Sequence, residues 1–306
     1  MTTERVGNFR TGYVAIVGEP NVGKSTLMNA VLRQKLSIVT KKPQTTRQRV
    51  LGILHTDDAQ VIFLDTPGLI RPKYLLQEKM MGHAQSALAD ADAILVLTEP
   101  THRTELPQEV RDIVATRGAQ KPILLVINKM DTLHRPEILP VIESFSSMGM
   151  FKEIIPVSAL KKENLDELLK TLIRYLPEHP PLYPEDVVSE HPERFFVCEL
   201  IREKVFEYYR DEVPYSTAIE ITEFKERAKG KTYVSANIVV ERESQKGILI
   251  GNKGEALKKI GQLSRVEIEQ FLGRPVYLEL RVKVKEKWRE NETLLKRFGY
   301  GVDKNG

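Results

Sequence analysis

Gly18-Glu19-Pro20-Asn21-Val22-Gly23-Lys24-Ser25 has the spacing G-x-x-x-x-G-K-[ST]. It follows the apolar run Tyr13-Val17 and precedes a helical stretch at Lys24-Leu32. That pattern makes a phosphate cradle: the glycines let backbone amides face phosphate oxygens, and the helix start adds positive potential. Lys24 can reach β- and γ-phosphates, the Ser25 hydroxyl can ligate Mg²⁺, and Thr26 completes the set. Asp65-Thr66-Pro67-Gly68 ends a second apolar run, Val61-Leu64. A carboxylate there faces the metal, and the Gly68 amide can sense a γ-phosphate. Asn128-Lys129-Met130-Asp131 ends a third run, Ile123-Ile127. A carboxylate at Asp131 can pair with two N–H groups on the edge of guanine, and a site built on such a pair rejects adenine. Val157-Ser158-Ala159 closes a further run, where the Ser158 and Ala159 backbone can meet the guanine carbonyl. Each short motif is weak alone. Their order, each at the carboxyl end of a strand, is where open α/β sheets bind ligands.

Those motifs need a scaffold. Tyr13-Val17, Val61-Leu64, Ala93-Leu97, Ile123-Ile127 and Ile154-Val157 are nearly continuous apolar runs. Such runs suit strands buried on both faces of a mostly parallel sheet, with helices such as Lys24-Leu32 and Leu165-Tyr175 between them. The expected fold over residues 1–178 is therefore a doubly wound α/β domain. Pro177, Pro180, Pro181, Pro184 and Pro192 then crowd a segment expected to be a semi-rigid connector over 179–193. A second domain, 194–306, is read as α+β. Phe195-Tyr209 and Glu255-Leu272 are expected helices, with strands at Ala218-Phe224 and Tyr233-Glu241 joined by a turn at Lys229-Gly230. Val276, Leu278, Leu280, Val282 and Val284 alternate with Tyr277, Glu279, Arg281, Lys283 and Lys285. That alternation is a half-buried strand with a largely basic outer face.

The second domain carries its own chemistry. Ile250-Gly251-Asn252-Lys253-Gly254 follows a lead, Gln245-Leu249, read as strand-like, and precedes a helix bearing Lys258 and Lys259. A G-x-x-G loop before a helix can clamp a single-stranded nucleic-acid backbone. Residues 244–306 hold 14 basic and 8 acidic residues, against 9 and 14 over 181–243, so positive charge gathers around this loop. The whole chain has 306 residues, 41 % hydrophobic and 29 % charged, enough apolar material for two cores and too much for disorder. No apolar run reaches the roughly 20 residues of a membrane span. Met1 to Arg10 lack an apolar signal core, and Cys198 is the only cysteine, so a reducing cytoplasmic setting is expected.

Taken together, these residues resemble the translation-factor-related GTPases and, more closely, the bacterial Era GTPases. The closest stretches are Gly12-Gly18, Gln44-Arg47, Ile201-Lys204, Ile250-Gly254 and Leu278-Leu280 leading to Trp288. The resemblance implies a GTP- and Mg²⁺-binding G domain joined to a type II KH domain. It implies binding near the 3′ end of 16S ribosomal RNA, a role in assembly of the 30S subunit, peripheral association with the inner membrane face, and a monomer. It also assigns Gln44-Gln48 as the first switch segment, with Thr46, or less securely Thr45, on Mg²⁺. Ras-like proteins orient the attacking water with a Gln after Asp-x-x-Gly. Leu69 stands there and can neither donate nor accept a hydrogen bond. Hydrolysis aided by a partner or by K⁺ is the resulting expectation. In potassium-activated relatives the counterpart of Asn21 helps hold K⁺, while an Asn there also caps loops well; the sequence leaves both roles open. Lys24, Asn21, Thr46 and Gly68 are thus the expected catalytic set. Glu19 replaces a basic residue common in relatives and lies outside the phosphate-binding glycines. Two rival readings are an RNA scaffold with GTP as a regulatory ligand, which Leu69 favours, and a metabolic kinase, which Asn128-Asp131 disfavours.

Overall fold

In a computed structural model the described residues are 9–100, 106–118, 120–226 and 230–301. They divide into two compact units, one from residues of 1–37, 46–71 and 80–190, the other from 38–45, 72–79 and 191–306.

The first unit is built on β1 (Arg10–Gly18), α1 (Lys24–Leu32), β2 (Val50–His55), β3 (Ala59–Asp65), α2 (Leu75–Asp90), β4 (Ala93–Thr98), α3 (Gln108–Arg117), β5 (Ile123–Ile127), α4 (Arg135–Ser146), β6 (Glu153–Pro156) and α5 (Leu165–Ile173). The first turn of α2 falls in the second unit. The sheet order is β2-β3-β1-β4-β5-β6. All neighbours are parallel except β2, which runs antiparallel to β3. The central strands are apolar on both faces and wholly buried, as in Val14–Val17 and Ala93–Val96, which is why their runs are unbroken.

β2 was not anticipated. Gly52 interrupts its apolar run, and glycine normally weakens a strand. Here the glycine makes room for a neighbour: a Cβ on Gly52 would stand 2.5 Å from Leu32 Cδ1 of α1, and that side chain would have to shift. The free edge of β2 is covered by the proline-rich segment, where the Val188 carbonyl accepts from the Ile53 amide at 2.9 Å. Gln60 of β3 holds the same segment, accepting from the Leu182 and Tyr183 amides at 2.8 and 3.0 Å. Residues 179–190, expected as a connector, are thus hydrogen-bonded along the first unit, and the second unit's closing segment begins at His191.

The second unit contains α6 (Glu193–Tyr208), β7 (Ala218–Lys225), β8 (Thr232–Val240), α7 (Glu243–Ile250), α8 (Glu255–Leu272), β9 (Val276–Val284) and α9 (Glu292–Arg297). Its sheet runs β7-β8-β9, antiparallel then parallel. The parallel step needs a long crossover, and α7 and α8 supply it. The core joins Val197, Ile201 and Val205 of α6 to Ile238, Leu249, Ile260 and Ile268. Trp288 is fully buried and donates its indole N–H to the Ser216 carbonyl at 2.8 Å. The polar run Ile201–Lys204 is internal: Arg202 is fully buried and forks onto Glu199, while Lys204 reaches Glu207 and Glu267.

One expectation is overturned. The strand-like lead before Gly251 is helix α7. Gln245 fixes its start by accepting from the Glu241 and Arg242 amides at 3.0 and 3.1 Å, which satisfies donors at the helix entrance. The expected turn at Lys229-Gly230 lies partly outside the described residues, since Lys229 is not among them.

Candidate functional site

The strand-loop-helix formed by β1 and α1 shapes the phosphate loop. Gly18 and Gly23 have φ of 152° and 99°, and a Cβ would approach Leu97 O to 2.3 Å and Asn128 Nδ2 to 2.2 Å respectively. Both positions therefore exclude a side chain by backbone conformation and by space. Asn21, exposed at the loop's bend, takes φ 66°, a conformation Asn tolerates better than most residues. Glu19 and Pro20 flank it, half-buried, and Thr26 sits half-buried in the first turn of α1. Lys24 is 6 % exposed and donates to the Gly18 and Glu19 carbonyls at 3.1 and 2.8 Å. Burial lowers its pKa to about 8, against the attraction of Asp65 and Glu19. Anionic phosphates beside it favour the charged form.

Three oxygens converge next to it. Ser25 Oγ donates to Asp65 Oδ2 at 2.7 Å and lies 2.9 Å from Thr46 Oγ1. Asp65 is fully buried, and its Oδ1 has no partner. Burial pushes its pKa up, while the Ser25 hydrogen bond and the Lys24 charge pull it down. A buried carboxylate oxygen beside two hydroxyls is a hard-oxygen set that suits Mg²⁺. Thr45 is not in this cluster: its hydroxyl contacts Thr40 Oγ1 at 2.7 Å and the Lys42 carbonyl at 2.8 Å. Thr66 ties β3 to β1 by donating to the Ile16 carbonyl at 2.7 Å, ahead of Pro67. Gly68 passes close to the phosphate loop; a Cβ there would meet Pro20 at 2.8 Å. Leu69 donates its amide to the Gly18 carbonyl at 3.0 Å and packs its side chain against the core.

The elements expected to recognise the base are braced to the phosphate loop. Asn128 is 2 % exposed; its amide donates to the Val22 carbonyl at 2.8 Å and accepts from the Ala159 N–H at 2.9 Å. Asp131 Oδ1 accepts from Ser158 Oγ at 2.6 Å, joining the two loops. Lys129, at φ 62°, extends to Glu99 at 2.5 Å. Glu99 is a site neighbour that motif reading passed over. It follows the end of β4, and a charged residue there was the available signal. The structure brings together Gly18–Thr26, Thr46, Asp65–Gly68, Asn128, Lys129, Asp131, Ser158 and Ala159, all within the first unit.

The second candidate site is the loop between α7 and α8. Ile250 ends α7, Gly251 has φ 70°, and Gly254, at φ 81°, caps α8. A Cβ on Gly251 would meet the Ala256 Cβ at 2.6 Å. Asn252–Gly254 form a single 3₁₀ turn in which Lys253 takes φ 49°. Gly254 and Lys258 line a cavity of about 420 Å³ between α8 and β9.

A Walker-type loop on a doubly wound sheet, with a buried Asp and an Asn-Lys-x-Asp element, defines a guanine-nucleotide hydrolase of the phosphate-loop class. Residues 13–129 match the family described as 50S ribosome-binding GTPase, and residues 212–289 match the KH domain. GTPase Era of Geobacter metallireducens is 46 % identical over 95 % of this chain and 98 % of its own length. The chloroplastic GTPase ERA1 of Zea mays is 44 % identical over 98 % of this chain and 72 % of its own length. A solved Aquifex aeolicus Era variant bound to GDP·AlF4⁻ superimposes with TM-score 0.91 at 44 % identity, covering 96 % of this chain and all of that one. An Era solved with MgGDPNP and nucleotides 1506–1542 of 16S ribosomal RNA does so with TM-score 0.91 at 43 % identity, over 96 % of this chain and 100 % of its own. This chain belongs to the Era family of GTPases: a G domain followed by a KH domain, hydrolysing GTP to GDP and phosphate.

Proposed function

We propose that this GTPase is a switch that binds the 3′ region of 16S ribosomal RNA through its second unit and acts in assembly of the 30S subunit. The relative solved with nucleotides 1506–1542 of 16S RNA, alike over 96 % of this chain, carries the reading. The description naming the 50S subunit covers residues 13–129 only, so it speaks for the G domain and not for the RNA-binding part. The Gly251–Gly254 loop, with Asn252 and Lys253 exposed, and the exposed Lys258 and Lys259 of α8 fit the RNA reading chemically. Among the described residues no helix is long and apolar enough to cross a membrane.

In this reading Ser25, Thr46 and Asp65 hold Mg²⁺, which when bound offsets the charge that develops on the β- and γ-phosphates. Lys24 and the amides of the phosphate loop orient the phosphates for in-line attack. The Gly68 amide faces the γ-phosphate. Asp131 accepts from the guanine edge, and the Ala159 region closes on its carbonyl. Lys129, held by Glu99, belongs to the same nucleotide-binding set. Leu69 has no group to hold the attacking water; a bound partner, or K⁺ that Asn21 would help to hold, would supply the electrostatic support this side chain lacks. Crosslinking bound RNA in cells and sequencing it tests the assignment. Recovery of the 3′ end of 16S RNA, lost with the loop variant Asn252→Asp/Lys253→Asp, is the expected result; recovery of 23S fragments alone would overturn it.

A further inference from the structure

Tyr277 is the second residue of β9, the edge strand of the second unit's sheet. Strand alternation turns it outward, and it is 58 % exposed. A singly exposed apolar residue needs no explanation. Tyr277 differs in three respects. It lines the cavity of about 420 Å³ that begins at Gly254, together with the apolar Leu257 and Leu280 and the cations Lys231, Lys258 and Arg265. Its ring is stacked on Tyr233 of β8, centroids 5.8 Å apart and planes within 14°. The backing ring is itself fixed, because Tyr233 donates its hydroxyl to Glu279 at 2.6 Å and Glu279 also holds Arg281.

The ring is therefore backed on one face before any ligand arrives, on a residue that is 58 % exposed. Flat apolar rings ringed by cations are suited to unpaired bases: the π face stacks on the base, and the cations meet the phosphates on either side. The Gly251–Gly254 loop offers a clamp for a nucleic-acid backbone but no ring for a base. A strand gripped at that loop and following the cavity reaches β9 beside Tyr277, whose ring stands on the outer face of that edge strand with Glu279 and Arg281. We propose that Tyr277, backed by Tyr233, stacks one unpaired base of the bound RNA. The inference rests on the reading that this unit binds single-stranded RNA.

The test uses the full chain and a labelled RNA with the sequence of 16S nucleotides 1506–1542. Tyr277→Ala should weaken binding by about 30-fold, the middle of the range for loss of one stacked base. Tyr277→Leu, which keeps apolar bulk without a π face and guards against misfolding of the alanine variant, should fall close to it. Tyr277→Phe should bind like the wild type. RNAs carrying single abasic sites locate the partner: one position should weaken the wild type about as much as Tyr277→Leu does, and the two losses should not add. Leucine and wild type binding alike, or additive losses at every abasic position, would overturn the stacking. Asn252→Asp/Lys253→Asp separates the two ideas. If it abolishes binding while Tyr277 variants bind normally, only the stacking fails. If the wild type does not bind this RNA, the RNA reading fails and the stacking with it.

Discussion

Replacing Asn128 with alanine removes an amide that is 2 % exposed and joins the Val22 carbonyl to the Ala159 N–H at 2.8 and 2.9 Å. Val22 and Ala159 are themselves buried, each 2 % exposed. A buried backbone group left unpaired costs about 1–3 kcal/mol. A water entering the vacated space recovers part of this only if it finds two or more polar partners. The expected local loss is about 2–4 kcal/mol, large against the roughly 5–15 kcal/mol that holds a domain together. Amide hydrogen exchange of the nucleotide-free protein reads the loss locally and avoids treating two units as one transition. At tenfold per 1.4 kcal/mol, exchange in peptides covering the phosphate loop and residues 157–165 should quicken by about 30- to 1,000-fold. Peptides from α8 should not change. Asn128→Asp keeps the acceptor for Ala159 but sets a carboxylate oxygen against the Val22 carbonyl, so it should quicken the phosphate loop as well. If nucleotide affinity fell while exchange in both loops stayed at the wild-type rate, Asn128 would act through the ligand alone and the brace would be refuted.

Asp131→Asn should move preference from GTP to xanthosine triphosphate by tenfold or more in competition binding, because the base-edge hydrogen bonds reverse; unchanged GTP affinity would remove Asp131 from the base site. GTP hydrolysis should run faster in KCl than in NaCl at matched ionic strength, since Leu69 cannot hold water, and equal rates would exclude the cation. Asn252→Asp/Lys253→Asp should weaken 16S RNA binding by well over the effect of one phosphate contact while GDP affinity, measured by titration, is retained. Wild-type RNA affinity should fall linearly with salt on logarithmic axes, because phosphate contacts release counterions.

How far the sequence reveals this protein depends on what each residue is asked to do. The phosphate loop and the G-x-x-G loop are legible because Gly23, at φ 99°, and Gly254, at φ 81°, occupy conformations that side chains avoid. The central strands are legible because burial on both faces leaves no room for polar residues. β2 is hidden because Gly52 serves a neighbour, Leu32, rather than its own strand. α7 is hidden because Ile248, Leu249 and Ile250 favour strand locally, whereas the Gln245 cap and the burial of Leu249 in the core decide for helix. The cross-braces, Asn128 to Val22 and Ser158 to Asp131, span 106 and 27 positions and exist only once the sheet has aligned its strand ends.

The braces bear on why the recognition motifs work as a set. Asn128 belongs by sequence to base recognition, yet both its hydrogen bonds are spent inside the protein, on the phosphate loop and on the Ala159 loop. Asp131 likewise has Ser158 bound to one carboxylate oxygen, whose second lone pair stays available with the other oxygen for two N–H groups of a ligand. The base contact proposed for Asp131 would therefore be referred through two loops to the phosphate-loop amides proposed to hold the phosphates. Each loop alone would sample several conformations at little cost. Held to each other at the ends of buried strands, they meet a nucleotide with its base and phosphate sites already spaced, and less of the binding free energy is spent on ordering them.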